Sequence, residues 1–461
     1  MPKYLFGSHV YTPEHESWQR ILQKGYASRL RPVCLCVVVG DGPSLYISLA
    51  RGQYILKRLP YSGPHHAPHC EHYEPPPELS GLGQVNGSAI REDLEGEATT
   101  LSLDFPLTKG RSRTPGAASE VEHESVRSDG TKLTMRGLLH YLMDDAALTR
   151  WTPAMAGRRS WYVVRRELLK AAGSKMTKGH PLRALLHIPE SFNLDRADEI
   201  RQRQRESLAR LAESTSARML LVAEVKAIED ARYGKCLIVK HMPDMKLMMT
   251  DTLAKHLVTR FEHQLQLWSQ IDGSHLMVLA TISRSAQGVF SVEAACVMNV
   301  NEHWIPFESF TEWELLDALH REHRRFTKGL RYNLPSSKPL ACAVLQDTGE
   351  LSTAMFLVPP EQEGDYDAVI GELSEQTGLR SWKWLAGNQQ MPPLPPQGGH
   401  RGVEQVEHQP TKQSEQGAEQ TLPAQVEPAA SELVSAEPEG FFDGHEVAEL
   451  DEDSTGPGRL G

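Results

Sequence analysis

Two short clips of metal-ligand side chains constrain the N-terminal part of this chain more than any other feature: Cys34-Leu35-Cys36, and His65-His66-Ala67-Pro68-His69-Cys70-Glu71-His72. They hold three of the six cysteines and four of the twenty histidines. A Zn²⁺ ion takes four tetrahedral thiolate or imidazole ligands drawn from two such clips, so a chain that binds one must fold the clips against each other. The run Cys34 to Val39 reads as a strand, and residues i and i+2 of a strand share a face, which aims Cys34 and Cys36 at one ion. The second clip supplies Cys70, with the fourth ligand either His66 before it or His72 after it. Four such ligands with no open position make a structural zinc site rather than a catalytic one. The competing reading makes Cys34 and Cys36 small core residues and leaves the histidines on an exposed polar turn.

Around the clips the pattern is β-rich. Thr12-Pro13-Glu14 reads as a helix start, with Trp18, Ile21, Leu22 and Tyr26 on one helical face. Gly40-Asp41-Gly42 and Arg51-Gly52 are the expected turns between strands Cys34–Val39, Ser44–Ala50 and Tyr54–Arg58. The segmentation that follows is a β-rich zinc module over 1–107, a mobile polar insertion over 108–131, a basic helical segment over 132–190, a mixed domain over 191–387 and a tail over 388–461. The class is α+β: an N-terminal β-rich zinc-stapled module, a helical middle segment, a mixed α/β C-terminal unit and a disordered acidic tail.

With 461 residues the chain exceeds what one core usually supports. From Asn388 onward it has 14 Asp or Glu against three Lys or Arg and little aliphatic periodicity, which predicts disorder. That stretch accounts for the whole formal charge of −11, so residues 1–387 are neutral and an acidic total does not exclude nucleic-acid binding. No run of about 18 apolar residues could span a bilayer, and widely spaced cysteines do not suit a secreted disulfide framework, so the expectation is a cytoplasmic protein with no membrane partner. Cys236, Cys296 and Cys342 fall in apolar runs, where thiols are packing.

The basic segment has its own signature. Between Leu133 and Lys178 there are nine Lys or Arg against three Asp or Glu, and Arg158, Arg159, Arg165, Arg166 and Lys170 cluster with Trp151, Trp161 and Tyr162. Two helices joined by a turn and followed by clustered arginines suit a helix-turn-helix or winged-helix reader of DNA or RNA, with arginines on phosphates and an aromatic edge for stacking. The same residues also suit a solvated helix face over core tryptophans.

Catalytic motifs are sparse. Glu224-Val225-Lys226 supplies the Glu-x-Lys half of a restriction-endonuclease-like metal site, in which carboxylates hold Mg²⁺ and lysine steadies the attacking water. Its upstream aspartate would be Asp195 or Asp198, both in predicted helical surroundings, so the expectation leans away from an enzyme. The hairpin at Leu345-Gln346-Asp347-Thr348, followed by strand, helix and strand, also resembles that nuclease core, with Ala354 to Val358 where Glu-x-Lys would stand; this resemblance implies an inactive relic that retains nucleic-acid binding.

Two further resemblances are carried by quoted residues. Cys34, Cys36, Cys70 and His72 match the Cys-x-Cys and Cys-x-His halves of a SWIM-type zinc finger. Tyr54-Ile55-Leu56-Lys57-Arg58-Leu59-Pro60, Tyr73-Glu74-Pro75-Pro76, Gly137-Leu138-Leu139-His140-Tyr141-Leu142 and Lys328-Gly329-Leu330-Arg331-Tyr332-Asn333 resemble a bacterial domain-of-unknown-function family, number 1173, found on integrative and conjugative elements. The second resemblance spans about residues 4–386. It implies a mobile-element context and brings no catalytic residues. The expected function is therefore a zinc-binding accessory protein that binds DNA or RNA without catalysis. The alternatives are a scaffold for proteins of a conjugative or element-maintenance complex, and a metal-dependent nuclease.

Overall fold

The clips are held by a small N-terminal subdomain. In the computed structural model, which describes residues 2–37, 40–50, 52–93, 98–108, 130–232, 234–387 and 389–398, Tyr4–Phe6 pairs antiparallel with His9–Tyr11 and with Val33–Cys34. Leu45–Ala50 and Gln53–Arg58 form the expected hairpin, with Gly52 at φ 79° just before the second strand. Helix Trp18–Ala27 packs Leu22 against Tyr4, Phe6, Leu45 and Ile47. That helix begins at Trp18, not at Thr12, because Thr12 to Ser17 turn instead, with His15 N–H bonded to Thr12 O at 3.1 Å. The strand expected over Cys34–Val39 ends at Cys34, and Leu35-Cys36 is a turn. Val38 and Val39 lie outside the described residues.

A barrel begins at Met219. The first half of Met219–Asp230 pairs antiparallel with His275–Arg284, and its second half with Lys235–Val239. The register shift between Val225 and Ala227 lets one strand serve both neighbours, as β-bulges do. Lys235–Val239 continues to Leu247–Met249, which lies parallel to Phe290–Val300, and that strand returns antiparallel to His275–Arg284. In chain order the neighbours run first, second, third, fifth, fourth and back to first. Helices Asp251–Arg260 and Glu262–Gln270 lie between the third and fourth strands. This is the connectivity of the OB-fold, a five-stranded Greek-key barrel. Its core includes Val222, Leu237, Val239, Val278 and Ala280, each at most 1% exposed.

A second sheet runs Arg380–Leu385, Thr353–Val358, Ala343–Leu345, Phe326–Lys328, Arg150–Trp151. The first two of these are parallel, joined by the crossover helix Glu363–Thr377 that parallel pairing requires. Helix Phe310–Arg321 precedes the sheet. Its N-terminus is capped by Ser309 and Glu312: Ser309 Oγ accepts from Glu312 N–H at 3.1 Å, and the Glu312 carboxylate accepts from Glu308 N–H.

The sequence segments interleave. Ala98–Leu101 pairs with Lys175–Thr177, and Arg150–Trp151 joins the C-terminal sheet. One hydrophobic core collects residues from Val85 to Tyr332. The α+β class stands as read from the sequence, with a Cys/His cluster near the N-terminus. Two expected segments lie mostly beyond description: residues 109–129 of the insertion, and 399–461 of the tail. The tail's opening residues correct the boundary at Asn388. Met391 and Leu394 pack on the core beside Trp382 and Trp384, whose indole N–H groups donate to Pro393 O and Gln389 O, each at 3.0 Å.

Candidate metal centre

Cys34 ends the short strand Val33–Cys34, Cys36 follows across the turn, and His66 and Cys70 come from the loop after a 3₁₀ turn over Gly63–His65. It is this turn, rather than strand alternation, that brings Cys36 round to Cys34. Gly42, at φ 66°, permits the approach: a Cβ there would lie 2.4 Å from Cys34 O. The edges are Cys34 Sγ to Cys70 Sγ 3.7 Å, Cys36 Sγ to His66 Nδ1 3.4 Å and Cys70 Sγ to His66 Nδ1 3.6 Å. All four ligand atoms lie within 4.8 Å of one another. Metal–sulfur bonds of about 2.3 Å and a metal–nitrogen bond of about 2.0 Å at tetrahedral angles set S–S edges of about 3.8 Å and S–N edges of about 3.5 Å, so the donor set fits one ion.

The structure decides between the two histidines. His66, 2% exposed, belongs to the cluster. His72 does not: its Nε2 faces Tyr4 Oη at 3.3 Å and Glu71 at 3.7 Å, while Tyr4 also bonds Glu71. The Cys-x-His half of the SWIM-type pattern is therefore not what this cluster uses. Backbone N–H groups of Ala67 and His72 donate to Cys36 Sγ and Cys70 Sγ, both at 3.4 Å, which stabilises thiolates. The three thiols do not ionise together. Hydrogen bonds from Cys34 and Cys70 hold Cys36 well below the ordinary thiol range, and hydrogen bonding to Cys36 and Cys70 pushes Cys34 well above it. A cation bound by all three thiolates relieves that conflict.

The cluster also ties the subdomain to the body. Arg325 donates to His69 O at 3.1 Å and Arg150 to Glu71 O at 3.1 Å. Glu74 bridges Arg58 and Arg150, whose charges hold its carboxyl below the usual range against the opposing effect of burial.

The basic segment is only partly a surface. Arg158, Arg166, Lys170 and Tyr162 are exposed, with Arg166 and Lys170 beside Glu167. Arg159 is not available to phosphate. It donates to the carbonyls of Leu148 at 2.8 Å, His303 at 3.2 Å, Ala147 at 3.4 Å and Arg150, and burial lowers its pKa to about 10. Trp151 and Trp161 are buried, and Trp161 donates to Pro189 O. A helix-turn-helix is also excluded, since a strand and a 3₁₀ turn separate Met135–Asp145 from Trp161–Ala171. Arg165 lies between these cases, with its Nε on Ile188 O at 2.9 Å and its Nη2 3.9 Å from Glu190.

Glu224 and Lys226 do not form half of a nuclease site. The bulge separates them: Glu224 is 3% exposed and bonded to Lys240 and to His275 Nδ1, the latter at 2.6 Å, whereas Lys226 is exposed. Asp195 and Asp198 are exposed, and Asp198 pairs with Arg201. In the second sheet the order strand, helix, strand is present, but Ala354, Met355 and Phe356 are buried and Asp347 is taken by Arg324. No signal in the sequence separated Arg159 from Arg158, since their side chains differ only in what folds over them.

No curated protein and no solved structure matches the chain. The family described as protein of unknown function (DUF1173) matches residues 5–387, and the chain belongs to it.

Proposed function

We propose that this is a zinc-stapled, non-catalytic nucleic-acid-binding accessory protein of a bacterial mobile genetic element, acting in the cytoplasm. The observation that carries the nucleic-acid reading is the barrel connectivity, an architecture whose face and loops commonly hold oligonucleotides. The exposed Arg166, Lys170 and Tyr162 on helix Trp161–Ala171, and Arg158 on the turn before it, add phosphate and stacking partners. Three thiols and one imidazole at tetrahedral edges favour Zn²⁺, and a full set of four protein ligands makes its role structural. The mobile-element setting follows from the sequence resemblance.

The test is binding of a fluorescent single-stranded oligonucleotide to the full chain across a salt series. Binding should weaken with salt, and replacing Arg158, Arg166 and Lys170 together by Gln should lower the logarithmic salt slope by about 2, at roughly 0.7 per phosphate contact. No binding at low salt would overturn the nucleic-acid reading in favour of a protein-interaction scaffold within a conjugation or element-maintenance complex.

A further inference from the structure

Charge is unevenly shared along the folded residues. Residues 1–58 hold eight Lys or Arg against three Asp or Glu, although residues 1–387 balance to zero. Arg58 is taken by Glu74, and two of the three acids, Glu14 and Glu16, precede helix Trp18–Ala27 at its N-terminal end. At the other end stand Lys24, Arg29 and Arg31, all exposed and none paired with a carboxylate among the described residues. One cation at a helix C-terminus answers its dipole, but three within eight residues exceed that need.

The turn after the helix carries these side chains round the hairpin. Arg29 N–H donates to Tyr26 O at 3.1 Å and Leu30 N–H to Gly25 O at 2.8 Å, the two bonds of a Schellman ending, which puts Arg29 at φ 52° where glycine is usual. An arginine there meets a steric cost that glycine avoids, so the local fold does not ask for this side chain. A Cβ on Gly25 would lie 2.5 Å from Ile47 Cδ1, so the helix end is pressed against strand Leu45–Ala50, and Pro32 O accepts Leu45 N–H at 2.7 Å. Between those two contacts the chain rounds the edge of the hairpin. Tyr26, 37% exposed, meets Tyr54 on the helix side, with ring centres 5.4 Å apart. Arg31 lies 5.9 Å over Tyr46 on the opposite face, since Tyr46 alternates with the buried Leu45 and Ile47. Cys34 follows three residues later, so the metal centre anchors the end of this turn.

We propose that this band, from Tyr26 and Tyr54 through Arg29 to Arg31 and Tyr46, is a docking surface for single-stranded nucleic acid. Arg29 and Arg31 take phosphates, Tyr26 takes a base, and Lys24 adds to the positive field at the helix end. A guanidinium stacked on a tyrosine keeps its in-plane donors free for phosphate oxygens. An exposed ring beside such cations offers a π-face to any unpaired base, which a duplex with its bases stacked inside cannot use. The proposal rests on the nucleic-acid reading above and extends it to a second surface, on the metal-stapled module itself, whereas that reading stands on the barrel and on helix Trp161–Ala171.

The experiment uses the full chain with a fluorescent single-stranded oligonucleotide across a salt series, beside the melting temperature of each variant. Arg29→Gly combined with Arg31→Gln should lower the logarithmic salt slope by about 1.4, two contacts at roughly 0.7 each, and weaken binding roughly tenfold. Arg29→Gly alone should weaken binding while holding or raising the melting temperature, because glycine suits the left-handed position. A purely structural role would not separate the two readouts. Tyr26→Ala should weaken binding with the slope unchanged, as expected for stacking. Arg321→Gln, an exposed residue of helix Phe310–Arg321, should change nothing. Binding that keeps its slope in the Arg29 and Arg31 variant but loses it when Arg158, Arg166 and Lys170 are replaced would overturn this surface and leave the nucleic-acid reading standing. Weakened binding only in step with a fall in melting temperature would also overturn the surface. Failure of the wild-type chain to bind the oligonucleotide at low salt, whether or not it binds vesicles of anionic lipid, would overturn both.

Discussion

Arg324 grips both carboxylate oxygens of Asp347, its Nε at 3.1 Å from one and its Nη2 at 2.8 Å from the other. The arginine is 1% exposed, and a buried guanidinium is tolerated only when its donors are all placed. Its remaining fork reaches Pro395 O at 2.7 Å, and Gly398 N–H donates to Asp347 O at 2.9 Å, so the pair is completed by residues beyond the segment that looked folded in the sequence.

A chain ending at Gly387 should therefore be less stable than one ending at Gly398. Losing the partial burial of Met391 and Leu394 and the contact to Arg324 should lower the unfolding free energy by about 2–4 kcal/mol. Urea unfolding of the two chains measures this, and equal stability would show that residues 389–398 contribute nothing.

The two adjacent arginines of the basic segment should separate cleanly. Arg159→Ala strips donors from carbonyls of four residues and should cost about 2–4 kcal/mol, whereas Arg158→Ala, on the exposed turn, should stay within about 0.5 kcal/mol. In oligonucleotide binding the order reverses, with Arg158→Ala reducing the salt slope and Arg159→Ala, where still folded, leaving it alone.

Acid should weaken the fold through His140. Its Nδ1 accepts Tyr332 N–H at 3.0 Å, and burial, with Arg136 adding to it against the opposing charge of Glu308, lowers its pKa from 6.5 to about 3. The unfolded chain takes up this proton first as pH falls, so the stabilisation is complete above about pH 6.5 and is lost progressively toward pH 3. His320, also lowered to about 3, and His187, lowered to about 4, act in the same direction, both chiefly through burial. Replacing His140 by Gln, which keeps an acceptor and removes the titration, should reduce the loss between pH 7 and pH 5 by about 2 kcal/mol. An unchanged pH profile would place the acid sensitivity elsewhere.

How much was legible in the sequence follows from which physics each feature depends on. The barrel strands at Met219, Lys235, His275 and Phe290 lie in apolar runs of the sequence, because burial selects such patterns locally. The metal ligands were visible as residue types, but the choice of His66 over His72 depends on a turn at Leu35-Cys36 where a strand was expected. Closure of five strands into a ring was invisible, since it depends on one strand bending at a bulge between Val225 and Ala227. The fates of Arg158 and Arg159 diverge through contacts to Leu148 and His303, and nothing local encodes a partner so distant in the chain. Residues 389–398 read as disordered because prolines and glutamines lack periodicity, yet an extended segment needs only a few anchors on a ready surface.

Metal content tests the metal centre most directly. Purified full-length protein and the variants Cys70→Ser, His66→Ala and His72→Ala are weighed for zinc by elemental mass spectrometry. The geometry at Cys34, Cys36, His66 and Cys70 predicts one zinc per chain in the wild type and in His72→Ala, with loss in Cys70→Ser and weakened retention under a chelator in His66→Ala. A wild-type protein free of zinc and other metal, or zinc kept by His66→Ala and lost by His72→Ala, would contradict it.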